Sequence, residues 1–204
     1  MTITIKADEA LDAAVETIKS GGIVAYPTET VFGLAVDPFN TTAVKKLFDL
    51  KGRSDNNPIS LIVNDIEVVE DLVEEIPPLA EKLMKEFWPG PLTIIFKAKA
   101  TLPKAITAGT GKVGLRVSSS GAAMRLAREA GSAITATSAN PTGKPAATTA
   151  TQVRDYFGDD IDVIIDGGRL TDTTASTVVD ITTGSIAIVR EGAISTKDLE
   201  GNPQ

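Results

Sequence analysis

Ile23-Val24-Ala25-Tyr26, then Pro27-Thr28-Glu29-Thr30, then Val31-Phe32-Gly33-Leu34-Ala35-Val36 is the stretch that decides the fold: two short apolar runs around a polar loop. Runs of this length and composition predict strands, Ile23–Tyr26 and Val31–Val36. Before them, Leu11, Ala14, Val15 and Ile18 recur at helical spacing and stop at Gly21-Gly22. After them, Val44, Leu47 and Phe48 mark a second helix, with Thr41 or Thr42 as its N-cap. Strands set between helices imply an α/β domain with helices packed on a sheet.

The same alternation runs through the rest of the chain. Further strands are predicted at Ile59–Val63, Leu92–Phe96, Val113–Val117, Ala133–Thr137, Ile161–Ile165, Ser176–Ile181 and Ile186–Arg190. Helices are marked by Ile66, Val69 and Val73; by Leu79, Leu83 and Phe87; by Met124, Leu126 and Ala127; and by Val153, Tyr156 and Phe157. Strands near the C-terminus follow one another without a helix, so the expected sheet is mixed, twisted and open. Lys97–Lys112, Ser138–Thr149 and the last few residues read as flexible. A length of 204 residues suits one domain, residues 1–204, with a core that needs no metal or disulfide.

Composition removes several chemistries. The chain has no Cys and no His, which excludes disulfides, a Ser-His-Asp triad, a Cys-His dyad and almost every zinc site. Any metal is then a hard ion held by oxygen, such as Mg²⁺ carried in by a nucleotide. A net charge of −7 argues against a nucleic-acid surface spread over the whole molecule, though a local basic cleft is a separate matter. The first residues lack the pattern of a signal peptide, and no apolar run reaches the roughly 20 residues of a membrane span. A cytoplasmic protein is expected.

Two phosphate-binding patterns fail on inspection. Gly109 to Gly114 fits G-x-G-x-x-G, but a polar loop precedes it and the strand pattern Leu115-Arg116-Val117 follows it. A dinucleotide site needs a strand before and a helix N-terminus after. A Walker A reading of Gly111-Lys112 fails at Val113, where Ser or Thr belongs. The informative loops are Pro27–Thr30, Lys51–Pro58, Trp88–Pro91 and Ser138–Asn140. Lys51 and Arg53 have a plain alternative as cations at a helix C-terminus, and Thr28, Thr30, Ser138 and Asn140 as turn formers. Trp88-Pro89-Gly90-Pro91 reads as a rigid structural turn. Arg116 inside an apolar strand must reach solvent, a partner or a ligand, and Arg190 raises the same question. Lys51, Arg53, Arg116, Lys144 and Arg190 would hold phosphates and carboxylates if their strand ends converge. With no nucleophile–base pair in view, chemistry by positioning and charge stabilisation fits this inventory.

Seven blocks in order resemble the YrdC/TsaC family of threonylcarbamoyl-AMP synthases. They are Pro27–Leu34, Lys51-Gly52-Arg53 with Asn57-Pro58, Trp88–Thr93, Val113–Arg116, Ser138–Asn140, Ser176–Asp180 and Arg190–Gly192. The resemblance runs from about residue 8 to 192 and implies a short, single-domain form with a concave, basic cleft. It implies that threonine and bicarbonate give N-carboxythreonine, whose carboxylate attacks the α-phosphate of ATP, releasing pyrophosphate. Other proteins would then transfer the threonylcarbamoyl group to tRNA, forming threonylcarbamoyladenosine (t6A). By motif, Lys51 and Arg53 are assigned to catalysis, and Thr30, Arg116, Ala136 and Ser176 to threonine, with Arg116 on its carboxylate. Arg53, Asn57, Lys112, Ser138, Asn140, Ala146 and Arg190 are assigned to ATP, which brings Mg²⁺.

Four features depart from the family pattern. Ile62 stands where many relatives carry a histidine on the threonine side, Phe32 replaces a frequent tyrosine, and Ser118 stands where proline is common. The second domain of longer relatives is not expected, so another element would have to act as lid. The rival readings are a double-stranded RNA or tRNA-binding module without catalysis, and a carbamoyl-transfer role like that of hydrogenase-maturation enzymes. The net charge and three Trp/Tyr side chains weigh against a broad RNA surface. The lack of Cys and His weighs against the second, whose relatives carry zinc-finger-like domains.

Overall fold

A computed structural model describes residues 2–52, 57–171 and 174–200. Its strands are β1 (Ile3–Lys6), β2 (Val24–Tyr26), β3 (Gly33–Ala35), β4 (Leu61–Val63), β5 (Leu92–Lys97), β6 (Lys112–Arg116), β7 (Ala133–Thr135), β8 (Thr137–Ser138), β9 (Val163–Asp166), β10 (Thr177–Asp180) and β11 (Ala187–Arg190). Its helices are α1 (Ala7–Lys19), α2 (Thr41–Lys51), α3 (Ile66–Leu72), α4 (Pro78–Phe87), α5 (Lys104–Thr107), α6 (Gly121–Ala130), α7 (Ala150–Phe157) and α8 (Thr196–Glu200). The mixed α/β character is as expected, but the strands divide between two mixed sheets. One has the order β1-β9-β2-β3-β8 and the other β11-β10-β5-β6-β4-β7.

The run Ala133–Thr137 is where the two sheets exchange chain. β7 pairs antiparallel with β4 in the second sheet, and β8 pairs antiparallel with β3 in the first. The single residue between them, Ala136, donates its N–H to Ser60 O at 2.7 Å. Thr135 ties the crossing down from the side, its Oγ1 accepting from Val36 N at 3.0 Å and donating to Leu34 O at 3.0 Å. A uniform apolar run therefore reads as one strand, while its hydrogen bonds go to two different sheets.

The core explains why the strands are so apolar. Leu61 and Val63 of β4 pack into one cluster with Leu47, Phe48, Leu83 and Leu92, and Ile62 between them packs into a second. That second cluster joins Tyr26, Ile134 and Ile165 to Ile18 and Leu126 of α1 and α6. Successive side chains point to opposite faces of a strand, so β4 is buried on both. Burying such side chains contributes about 1.5–3 kcal/mol each.

Several boundaries differ from the sequence expectations. The N-cap of α2 is Asn40, whose Oδ1 accepts from Ala43 N at 3.1 Å, rather than Thr41 or Thr42, which lie in the first helical turn. Asn is the stronger cap of the three. At the other end Gly52 takes the left-handed conformation, φ 58°, that a C-terminal cap requires. β1 is an additional strand, paired parallel with β9. The segment Lys97–Lys112 is not a free loop. Ala98 N bonds Gly111 O, Lys99 N bonds Leu72 O, Ile59 N bonds Ile106 O, and Ile106 is wholly buried. The loop after Ser138 is likewise tied in, through Ala147 N to Ala139 O and Phe32 N to Ala147 O.

Candidate functional site

Where the sheets part, strand ends from both surround a cavity of about 230 Å³. The first sheet contributes Tyr26 at the end of β2 and Thr28, Thr30 and Val31 from the loop that follows. The crossing contributes Ala136, Thr137 and Ser138. The second sheet contributes Thr93 of β5, Arg116 at the carboxyl end of β6, Ser176 before β10, and Arg190 at the end of β11. Ligands of open α/β sheets sit beyond strand ends in this manner.

The loop Pro27–Thr30 is held by its own threonines. Thr28 Oγ1 donates to Val31 O at 2.7 Å and accepts from Thr30 N and Val31 N at 3.1 and 3.2 Å. This is the side-chain-to-backbone turn chemistry expected of Thr. It also presents Thr30 Oγ1, 3.0 Å from Thr28 Oγ1, at the cavity wall. Turn forming and cavity lining are thus the same arrangement.

Two guanidinium groups face the cavity. Arg116 is 6% exposed and forms an ion pair with Glu29, with Nη1 3.3 Å from Oε1. The contact is close enough for an ion pair but not aligned as a hydrogen bond, so both buried atoms are left without a hydrogen-bond partner. Glu29 Oε2 accepts from Ser118 Oγ. Arg190 lies on a strand that is otherwise exposed, with its guanidinium half-buried against Ser176. Its Nε and Nη2 donate to Ser176 O at 3.0 and 2.7 Å, and Nη2 also to Ser176 Oγ at 3.0 Å. Burial, and secondarily the charge of Arg116, hold the Arg190 pKa below its ordinary value. Two cations lining one cavity, with the Glu29 carboxylate paired to Arg116, favour an anion.

Tyr26 forms part of the floor. It is fully buried and its hydroxyl donates to Thr135 O at 3.1 Å. Burial pushes the phenol well above its ordinary value, with Arg116 opposing and Glu29 adding to the rise. Gly33, opposite in β3, leaves room for the ring; a Cβ there would lie 2.8 Å from it.

Of the residues singled out by sequence, Thr30, Arg116, Ala136, Ser138, Ala146, Ser176 and Arg190 line the cavity together. Lys51 does not line it. Its ammonium is buried at 4% exposure and donates to Ser138 O and, at 2.7 Å, to Asn140 O. Asn140 folds back on its own loop, with Nδ2 donating to Pro141 O and Lys144 O. Asn57 is exposed, beside the lining residue Pro58. Arg53 lies outside the described residues.

Three of the remaining residues lie outside the cavity lining. Lys112 stands at the opposite end of β6 from Arg116 and pairs with Asp180 at 2.7 Å, away from the cavity. Four residues of strand separate them by roughly 13 Å. Ile62 does not line the cavity; its side chain is fully buried in the second core cluster, beside Tyr26. Lys144 is exposed and outside the cavity lining. The Trp88–Pro91 turn is structural as read: Trp88 Nε1 donates to Leu92 O at 2.7 Å, and Gly90 N to Val117 O braces the strand carrying Arg116. Glu29, Thr93 and Ser60 were missed. Glu29 stood in plain sight between two selected threonines, but only tertiary contact pairs it with Arg116.

Comparisons with known proteins show the family. The family profile described as "Telomere recombination", that of Sua5, YciO and YrdC proteins, matches residues 16–192. A threonylcarbamoyl-AMP synthase of Pyrococcus abyssi is 38% identical over 205 residues, covering 98% of this chain and 60% of that protein. The Bacillus subtilis protein of the same name is 38% identical over 194 residues, covering 95% of this chain and 56% of that one. The crystal structure of P. abyssi Sua5 complexed with L-threonine superposes with a TM-score of 0.92 at 37% identity, over 98% of this chain and 60% of that one. The chain thus spans about 60% of the length of these relatives.

Proposed function

The chain belongs to the Sua5, YciO and YrdC family, and on that premise we propose that it is a threonylcarbamoyl-AMP synthase, an enzyme of the nucleotidyltransferase kind. It condenses L-threonine with bicarbonate and adenylates the product with ATP. The observation that carries this reading is the pair Arg116 and Arg190 facing one hydroxyl-lined cavity of about 230 Å³. That volume is below the roughly 300–1,000 Å³ of sites that enclose drug-sized ligands. It suits an amino acid, with the nucleotide reaching out past the Ser138–Asn140 loop.

The roles follow from chemistry. Arg116 takes the α-carboxylate of threonine, the group every amino acid shares. Thr30 and Ser176 exchange hydrogen bonds with its β-hydroxyl, and Ala136 limits the space beside it. The amine attacks bicarbonate carbon and water leaves, giving N-carboxythreonine. A carbamate oxygen then attacks the α-phosphorus of ATP, and the bond to pyrophosphate breaks. ATP enters as its Mg²⁺ complex. Arg190, with Arg53, Asn57, Ser138, Asn140 and Ala146, holds the nucleotide, and charge on the reacting phosphate is met by fixed cations. Lys51 acts by holding the Ser138–Asn140 loop.

Residues 1–204 act as one domain, since one apolar cluster takes Ala25 and Leu34 from the first sheet and Leu92 and Ile94 from the second. Among the described residues no helix is long and apolar enough to cross a membrane, which supports work in the cytoplasm. The adenylate would pass to the proteins that transfer the threonylcarbamoyl group to tRNA for t6A. The test is mass spectrometry of protein, ATP, Mg²⁺, threonine and bicarbonate, with pyrophosphate measured in parallel. The mixed adenylate should form only with both threonine and bicarbonate. Orthophosphate release indifferent to threonine would overturn the proposal.

A further inference from the structure

The cavity wall behind Arg116 is built more heavily than a carboxylate-binding arginine alone requires. Glu29 does not line the cavity, yet its carboxylate pairs with Arg116 and its side chain is only 16% exposed. Its second oxygen accepts from Ser118 Oγ, and Ser118 is wholly buried. Ser118 Oγ in turn accepts from Ser120 N at 3.1 Å, and Ser120 Oγ donates to Pro27 O at 2.9 Å. The loop after β2 and the loop after β6 are therefore stitched together through Glu29, Ser118 and Ser120. A long guanidinium stem has several rotamers and loses entropy when one is fixed. A counterion behind it fixes the group before substrate arrives.

We propose that Glu29, itself held by Ser118, is a positioning residue that orients the Arg116 guanidinium toward the amino-acid carboxylate. The inference rests on the function proposed above. Glu29 engages Nη1 from outside the cavity that Arg116 lines. It also halves the net charge of the two arginines, leaving one positive charge for a single substrate carboxylate to meet. Ser118 fixes Glu29 at a position where a proline would offer no donor, so this clamp is a property of the residues in this chain.

The experiment compares wild type with Glu29→Gln, Glu29→Asp and Ser118→Ala in the full chain. It measures threonine affinity by calorimetry, KM for threonine and for ATP, and melting temperature. A guanidinium correctly turned a tenth of the time raises apparent KM roughly tenfold. Glu29→Gln should raise threonine KM and Kd by that order, with kcat and ATP KM near wild type. Glu29→Asp should recover part of the loss, and Ser118→Ala, which keeps both charges, should show a smaller change of the same sign. Unchanged or tighter threonine binding in Glu29→Gln overturns the inference. So do equal losses in threonine KM and ATP KM that track the melting temperature across all three variants, since a merely structural role gives that pattern. If the wild type binds threonine but makes no adenylate, the functional reading fails, while calorimetry on the variants still tests the clamp.

Discussion

Replacing Lys51 with methionine separates the structure's account of this residue from the helix-dipole alternative. The ammonium donates to the carbonyls of Ser138 and Asn140 from a position 4% exposed. Methionine keeps most of the stem and removes the donor. Hydrogen bonds to a charged group contribute about 1.5–3 kcal/mol each. The loop lies at the cavity rim, and water recovers part of the loss, so the net cost is roughly 2–4 kcal/mol. For a chain of this size that lowers Tm by roughly 4–16 °C. A lost interaction with the helix dipole alone costs only about 0.3–1 kcal/mol. The same change loosens the loop that carries Ser138. If the loop is ordered a tenth of the time, the apparent KM for ATP rises roughly tenfold, with threonine affinity less affected. Calorimetric melts and initial rates of pyrophosphate release on Lys51→Met check both halves. A Tm within about 1 °C of wild type, with ATP KM unchanged, would refute the reasoning.

Substrate choice should follow hydrogen bonding: threonine is best, serine poorer, and valine worse by up to about 10⁴-fold in kcat/KM, because valine leaves the site's hydroxyls unpaired. Valine matching serine would remove the roles given to Thr30 and Ser176. Lys112→Ala should leave threonine-dependent turnover near wild type, contrary to a nucleotide role. The Asp180 carboxyl is opposed by burial but held below its ordinary value by the Lys112 and Thr182 hydrogen bonds, so it stabilises the fold above the unfolded pKa and loses that contribution as pH falls. The Lys112 variant should therefore lose less stability on acidification than wild type, read from melts between neutral and acid pH. Tyr26 gives the opposite sign: its folded pKa lies above the ordinary 10.0, so its contribution is intact below pH 10.0 and is lost as pH rises beyond it. Ultraviolet titration should show no ionisation of Tyr26 at its ordinary pKa of 10.0, while Tyr26→Phe melts lower, since Thr135 O loses its donor at a cost of about 1–3 kcal/mol.

Much of the fold was legible because the strands are buried on both faces and therefore stand out as apolar runs. The nine expected strands all overlap observed ones, and the helices marked by i, i+3/i+4 spacing all form. The short elements escaped. α5 has four residues and β1 pairs only with the distant β9, so neither carries a local pattern long enough to read.

The site divides the same way. Local chemistry selected Thr28, Thr30, Ser138 and Arg116, because a hydroxyl in a turn and a charge in an apolar strand are visible without partners. Local sequence was silent on direction along and across a strand. Lys112 and Arg116 lie on one strand, yet one meets Asp180 and the other the cavity. Ile62 occupies a pocket-side position by spacing, yet packing buries it fully in a core cluster. What the sequence alone determined was which groups this protein possesses: arginines, hydroxyls and carboxylates, with no imidazole or thiol. What the tertiary structure decided was which of them meet. Glu29 and Arg116 are 87 residues apart in the chain and 3.3 Å apart in space, and their pairing is set by the division of strands between two sheets, a non-local hydrogen-bonding choice that no window of sequence encodes.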